Sequence, residues 1–154
     1  MKSVRWMAAI AAVAFTMPAQ AGVNDPEVII YRGSGVFDSD DPGNTGTATS
    51  FHCTNFSGVP ETIRIVVRHR DATVLANMAF IIFHLNTVTA STHITNIYSD
   101  FTLGTGAVFQ GTAAIAATSV NITCTAMQID AASLSPVGIA LHMTRFNPVP
   151  GTQE

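Results

Sequence analysis

Apolar and polar residues alternate with a period of two along most of the chain beyond residue 21, and no other feature limits the fold as strongly. Because successive side chains of a strand point to opposite faces of the sheet, this period predicts strands with one buried face. The alternating segments are short and rich in Val, Ile, Thr and Phe, as strands are. We expect strands at residues 27–32, 50–54, 62–69, 73–85, 92–98, 107–110 with 112–118, 120–129 and 138–146.

Turn-forming residues separate most of these segments, for example at residues 40–44 and 104–106. Seven or eight short strands with such turns predict an all-β chain that folds as one antiparallel β-sandwich, and helix is scarcely indicated. Residues 147–154 contain two prolines and a glycine, which do not continue a sheet ladder. We therefore expect a single sandwich domain at residues 22–146 and an extended C-terminal tail at residues 147–154.

The first 21 residues have the three parts of an export signal. Lys2 and Arg5 make the start positive, residues 6–17 form an apolar run, and Ala19 and Ala21 match the small residues before a cleavage site. The apolar run has 12 residues, whereas a membrane helix needs about 20. The sequence therefore predicts a signal peptide at residues 1–21, cleavage before Gly22, no membrane insertion after cleavage, and a secreted or periplasmic protein.

The charge of the predicted mature chain excludes two classes of partner. Cleavage would leave 133 residues, the size of one domain, with five arginines, no lysine and ten acidic residues. The resulting formal net charge of −5 argues against a nucleic-acid partner, because binding to phosphates depends on many cations. It argues equally against attachment to anionic lipid.

The chain has two cysteines, Cys53 and Cys124. Each lies on the apolar face of an alternating segment, with Phe51 beside the first and Ile122 beside the second, so both point inward. Export would place them in an oxidising compartment, where such a pair forms a disulfide. A bond that closes a loop of this length stabilises the fold by about 4 kcal/mol in the chain-entropy model.

One cysteine lies on an early predicted strand, the other on the penultimate strand, and one strand follows. In this placement the chain resembles the immunoglobulin-like sandwich over most of its predicted mature length. Two hallmarks are absent: the mature chain has no Trp, and Ile122 stands two residues before Cys124, where antibody domains carry a Tyr. The resemblance implies an antiparallel immunoglobulin-like β-sandwich of seven to eight strands, and it implies no activity, since such folds have unrelated functions.

Asp38, Asp40 and Asp41 begin a segment that resembles the start of a calcium loop, in which alternating oxygen ligands surround the cation. Pro42 supplies no side-chain oxygen, and Thr49 stands where such loops carry a bidentate Glu. We therefore expect a solvated turn without calcium. The five histidines have no metal-binding spacing, so the sequence predicts no cofactor.

The sequence contains no catalytic motif such as GxSxG, and we expect a protein that is not an enzyme. One polar stripe is notable, because Arg64, Arg68 and Arg70 share one face of a predicted strand. With Val66 between Arg64 and Arg68, successive side chains of this face are about 6 to 7 Å apart, and they could form a ladder for an anionic sugar or the carboxylates of a partner protein. The alternative is a solvated face whose arginines pair with acids across the sheet.

Residues 78–85 are apolar on both faces of a predicted strand. Either Phe80 and Ile82 or Ile81 and Phe83 face the core, and the other pair needs a cover. The predicted mature chain also lacks lysine, the residue that most often protects sheet edges from pairing. We therefore expect this strand to contact a protein partner or a second copy of the chain.

These observations predict a secreted, non-enzymatic β-sandwich that acts through protein contacts, as a surface, matrix or structural component. The alternative is a periplasmic or extracellular module that binds a small ligand or a metal through the acidic turn or the arginine stripe. Two N-glycosylation triplets begin at Asn55 and Asn121, and the sequence leaves their use open.

Overall fold

A computed structural model describes residues 26–135 and 137–146 of the chain. Within these residues the chain forms strands and turns without a helix, as the period of two predicts. The predicted signal peptide at residues 1–21 and the predicted tail at residues 147–154 lie outside the described residues. The strands are β1 (Val28–Asp38), β2 (Thr47–Asn55), β3 (Glu61–Arg68), β4 (Val74–Ile82), β5 (Thr87–Ser91), β6 (Phe101–Thr102), β7 (Val108–Ala117), β8 (Ile122–Asp130), β9 (Gly138–Leu141) and β10 (Met143–Arg145).

The strands form two five-stranded sheets, in agreement with the predicted β-sandwich. The first sheet has the order β10-β1-β7-β3-β4, and the second sheet has the order β6-β5-β2-β8-β9. Paired strands are antiparallel except for β5 and β6, which are parallel.

The C-terminal segment passes from one sheet to the other at His142. Strand β9 pairs with β8 in the second sheet, and β10 pairs with β1 in the first. One long side of the sandwich is therefore bridged by continuous chain. On the opposite side no strand of the described residues joins β4 to β6, and the rings of Phe80 and Phe101 are in contact there, with centroids 5.2 Å apart.

The core between the sheets is mainly aliphatic. On β3, Ile63, Ile65 and Val67 are buried, while the residues between them are partly exposed. Full burial of each such side chain stabilises the fold by about 1.5 to 3 kcal/mol. A buried carboxylate, Glu61, also lies at the start of this strand and accepts a hydrogen bond of 2.5 Å from the Thr118 hydroxyl, so the polar group has a partner inside the protein.

The predicted disulfide between Cys53 and Cys124 is confirmed. The two residues lie directly opposite each other on β2 and β8, with a Cα–Cα distance of 4.2 Å. The bond thus joins neighbouring strands of one sheet. In immunoglobulin domains the corresponding bond connects the two sheets.

The prediction of a strand at residues 92–98 is wrong, and the strand lies earlier, at Thr87–Ser91. The reason is that backbone N–H groups in the middle of this segment donate hydrogen bonds to a side chain and to a loop carbonyl, and not to a neighbouring strand. The Thr95 N–H donates to the Asp100 carboxylate at 3.2 Å, and the Asn96 N–H donates to the Ala131 carbonyl at 2.8 Å. These bonds hold the segment as a loop against the second sheet.

Two other predicted strands have different limits in the structure. The strand predicted at residues 27–32 continues to Asp38, and the Gly33-Ser34-Gly35 sequence is accommodated by a register shift between Ser34 and Val36. Gly35 has a φ of +85° there, which glycine adopts without steric cost. The strand predicted at residues 138–146 is divided at His142, because its two halves pair with different sheets.

Candidate functional site

The outer face of β4 is apolar and accessible. Phe80 and Ile82 point into the core, with 9% and 1% of their surfaces exposed, whereas Ile81 and Phe83 are each 60% exposed. The structure therefore distinguishes the two alternatives that the sequence left open. Ile81 and Phe83 have no cover from the described residues.

Two adjoining loops extend this exposed surface. The Leu85 N–H donates to the Asn55 carbonyl at 2.7 Å, and the Gly58 N–H donates to His84 Nδ1 at 3.1 Å, so residues 55–59 lie beside residues 83–86. Three further exposed apolar side chains belong to these loops. We define the apolar end surface as Phe56, Val59, Ile81, Phe83 and Leu85.

Asn55 connects the parts of the apolar end surface. Its buried side-chain amide donates to the carbonyls of Val59 at 2.7 Å and Ile82 at 2.8 Å, and its side-chain oxygen accepts from the Ser57 N–H at 2.8 Å. Both amide hydrogens are thus in use, and a glycan on this nitrogen is incompatible with the folded domain. Asn121, which begins the other glycosylation triplet, is exposed.

Backbone strain is present at the same surface. The turn of residues 83–86 is closed by a hydrogen bond of 3.0 Å from the Asn86 N–H to the Phe83 carbonyl, and Leu85 has a φ of +61°. This left-handed conformation suits glycine or asparagine and is unfavourable for leucine. A large apolar side chain is therefore held outward at a position where its backbone is strained, a combination associated with functional surfaces.

Strand β4 also has an unpaired edge. It is nine residues long and pairs with β3 on one side, and no strand within residues 26–135 and 137–146 pairs with its other side. An exposed strand edge presents backbone N–H and C=O groups that another strand can bind. The apolar end surface lies at the end of this edge.

The structure separates the three arginines of the predicted stripe. The Arg64 guanidinium forms a two-point ion pair with Glu27, with distances of 2.6 Å and 3.2 Å, and also donates to the Asn77 side chain. The hydrogen bond to Glu27, followed by the charge of that carboxylate, raises the pKa of Arg64 above its usual value. Arg70 follows β3, in the turn closed between His69 and Thr73.

Arg68 instead shares a groove with an arginine that the sequence did not associate with it. Arg68 and Arg32 both line a groove of about 400 Å³ on the outer face of the first sheet. Arg32 is on β1 and Arg68 is on β3, and β7 lies between these strands. Their grouping could not be predicted from the local pattern, because it depends on the order of three strands that are distant in sequence.

The acidic turn is held by a histidine. The buried Asp38 carboxylate accepts hydrogen bonds from His93 Nδ1 at 2.8 Å and from the Asp40 N–H at 2.7 Å. His93 Nε2 lies 3.0 Å from the Thr45 carbonyl oxygen. Asp40 and Asp41 are exposed, and no group of three His, Cys, Asp or Glu side chains suitable for a metal occurs in the part of the chain that the structure describes.

The outer face of the second sheet is covered around His52. The ring of Tyr98 lies edge-on to the His52 ring with centroids 4.6 Å apart, and His52 Nδ1 is 3.0 Å from the Thr89 hydroxyl. Burial lowers the pKa of His52, and the nearby charge of Asp100 partly opposes this shift. The apolar end surface and the groove of the first sheet are both accessible.

No helix among the described residues is long and apolar enough to cross a membrane. Comparisons of the chain with protein-family models, curated proteins and solved structures find no match.

Proposed function

We propose that this chain is an exported, non-enzymatic β-sandwich that acts through protein contacts, and that its first contact is with a second copy of itself. The observation that carries this proposal is the apolar end surface beside the unpaired edge of β4. Five exposed apolar side chains on adjoining segments are more than the isolated surface apolar residues that every protein has.

The charge around this surface favours a second copy as the occupant. Residues 54–60 and 79–91 contain no Asp, Glu, Lys or Arg. In a two-fold symmetric dimer each residue meets the same surface of the other copy, so like charges would repel there. A surface without charged residues avoids this repulsion, which matters for a chain with a formal net charge of −5 after signal cleavage.

Export is part of the proposal and rests on the signal-like residues 1–21 together with the Cys53–Cys124 bond, since disulfides persist in oxidising compartments. Immunoglobulin-like connectivity stays a prediction from the cysteine positions. The placement of both cysteines in one sheet counts against it.

Sedimentation equilibrium of the mature protein tests self-association. We expect a concentration-dependent dimer in the parent protein and at least tenfold weaker association in Phe83→Asp, because loss of one buried Phe costs about 1.5 to 3 kcal/mol. Circular dichroism should show that Phe83→Asp is folded. Phe80 lies on the buried face of β4. The variant Phe80→Asp should unfold the domain, because it places a charge in the core.

Leu134→Asp is the matched control. Leu134 is 78% exposed. It follows Asp130, the last residue of β8, whereas Asn55 pairs with Ile122 at the other end of this strand. Leu134 is therefore far from the apolar end surface. This variant should associate like the parent. A parent protein that is monomeric at millimolar concentration, or equal weakening by Phe83→Asp and Leu134→Asp, would overturn the proposal.

A further inference from the structure

We infer that the groove on the outer face of the first sheet binds an acidic saccharide, whose carboxylate is held by Arg32 and Arg68. This site is separate from the apolar end surface and does not depend on self-association. The inference rests on three features of the groove: its shape, its uncompensated charge and the chemistry of its lining.

The shape follows from the residues of β7, the central strand of the first sheet. Thr112 and Ala114 project from this strand into the groove, and their short side chains leave a depression between longer neighbours. In register, Ala114 lies between Arg32 of β1 and Val66 of β3, while Thr112 lies between Ser34 and Arg68. The volume of about 400 Å³ is within the range of small-ligand sites.

The two arginines lie on opposite sides of this depression, offset by two residues along β7, because Arg32 pairs with Ala114 and Arg68 pairs with Thr112. Strands β1 and β3 are separated by two strand spacings, about 10 Å, a span over which two long guanidinium side chains can reach one anionic group. Each guanidinium is planar and has five N–H donors, which suit the two oxygens of a carboxylate.

The positive charge of the groove has no acidic partner within the described part of the chain. The Arg32 guanidinium lies 5.3 Å from the ring centroid of Phe146, and Arg68 donates one hydrogen bond of 3.0 Å to the Ala72 carbonyl. Arg64, on the same sheet face, shows the contrasting arrangement, because Glu27 neutralises it. In a chain with twice as many acids as arginines after signal cleavage, two such cations in one groove indicate an anionic ligand.

The rest of the lining favours a sugar over a peptide. The hydroxyls of Ser34, Thr112 and Thr144 can exchange hydrogen bonds with sugar hydroxyls, and Val66 and Phe146 offer apolar contact to the C–H face of a sugar ring. An extended peptide binds a sheet through the backbone groups of an edge strand. The groove lies on a sheet face between paired strands, where those backbone groups are already in ladders.

Calorimetric titration of the mature protein with trigalacturonate tests the site. We expect saturable binding that becomes about tenfold weaker or more in Arg32→Gln and in Arg68→Gln, since each variant loses charge-assisted hydrogen bonds to the carboxylate. Arg64→Gln is the control, because it removes an arginine of the same sheet face that is already paired, and its binding should equal that of the parent.

Two further titrations distinguish the source of binding. Neutral trigalactose should bind much more weakly than trigalacturonate, because it lacks the carboxylates. Tetraglutamate, which carries carboxylates on a peptide, should also bind more weakly. The inference is overturned if trigalacturonate does not bind, if Arg32→Gln and Arg68→Gln bind it like the parent, or if tetraglutamate binds equally well.

Discussion

Leu85 shows how a single residue can be costly for the fold and useful for contact. Its backbone has a φ of +61° and its side chain is 63% exposed. Within the described residues, the unfavourable backbone conformation is therefore not offset by burial of the side chain. A left-handed conformation costs a non-glycine residue about 1 to 2 kcal/mol. A contact with a second copy would give this side chain the burial that the monomer does not provide.

We predict that Leu85→Asn makes the domain more stable and the dimer weaker. Asparagine adopts the left-handed region more readily than leucine, so the free energy of unfolding should rise by about 1 kcal/mol. Chemical denaturation measures the stability, and sedimentation equilibrium measures the association. Leu134→Asn should change neither quantity, and a loss of stability in Leu85→Asn would contradict this account of the strain.

At the scale of strands, the sequence predicts those elements whose two faces differ in polarity. On strand β3, Ile63, Ile65 and Val67 alternate with Arg64, Val66 and Arg68, and the buried face is the one that this alternation predicts. The orientation of β4 could not be predicted, because Phe80, Ile81, Ile82 and Phe83 are all apolar and only the position of the neighbouring sheet distinguishes them.

The candidate surfaces were less predictable than the strands because they combine segments that only the fold brings together. Phe83 was predicted as a contact residue, but Phe56 and Val59 join it through the hydrogen bond between Leu85 and Asn55. Arg68 was predicted as an anion contact, but its companion in the groove is Arg32, two strands away.

The loop that covers the second sheet should make the domain sensitive to acid. Burial lowers the pKa of His52, so the unfolded chain binds a proton at this residue more readily than the folded one. Stability from this residue is therefore present above the unfolded pKa of about 6.5 and decreases as the pH falls below it toward the folded pKa.

We expect His52→Gln to lose less stability than the parent when the pH is lowered from 7 to 5. Denaturant unfolding at several pH values measures the difference. Parallel pH profiles of the parent and His52→Gln would show that this residue does not carry the effect.

At the scale of the whole molecule, the disulfide is consistent with the predicted export signal, because disulfides persist in oxidising compartments. Cys53 and Cys124 are paired within the second sheet, and the sequence separation of 71 residues places a large part of the domain inside the covalent loop. In the chain-entropy model a loop of this size contributes about 4 kcal/mol, a large share of the stability of one domain.

We predict that the exported protein begins at Gly22 and contains this bond. Intact mass should match residues 22–154 less two hydrogens, and alkylation without reduction should leave the mass unchanged. Reduction followed by alkylation should then add two labels. Retention of residues 1–21, or labelling of freshly isolated protein without reduction, would contradict the prediction.

The crossing of the C-terminal segment from β9 to β10 limits how far an assembly can extend. The bridged side of the sandwich presents edge strands of only four and three residues, and β6 on the other side has two, so β4 is the long edge that the described domain offers. Two copies that join through β4 use up this edge in both molecules. We therefore expect growth to stop at a pair, which would keep a chain rich in strands and without lysine beyond residue 21 out of open-ended fibres.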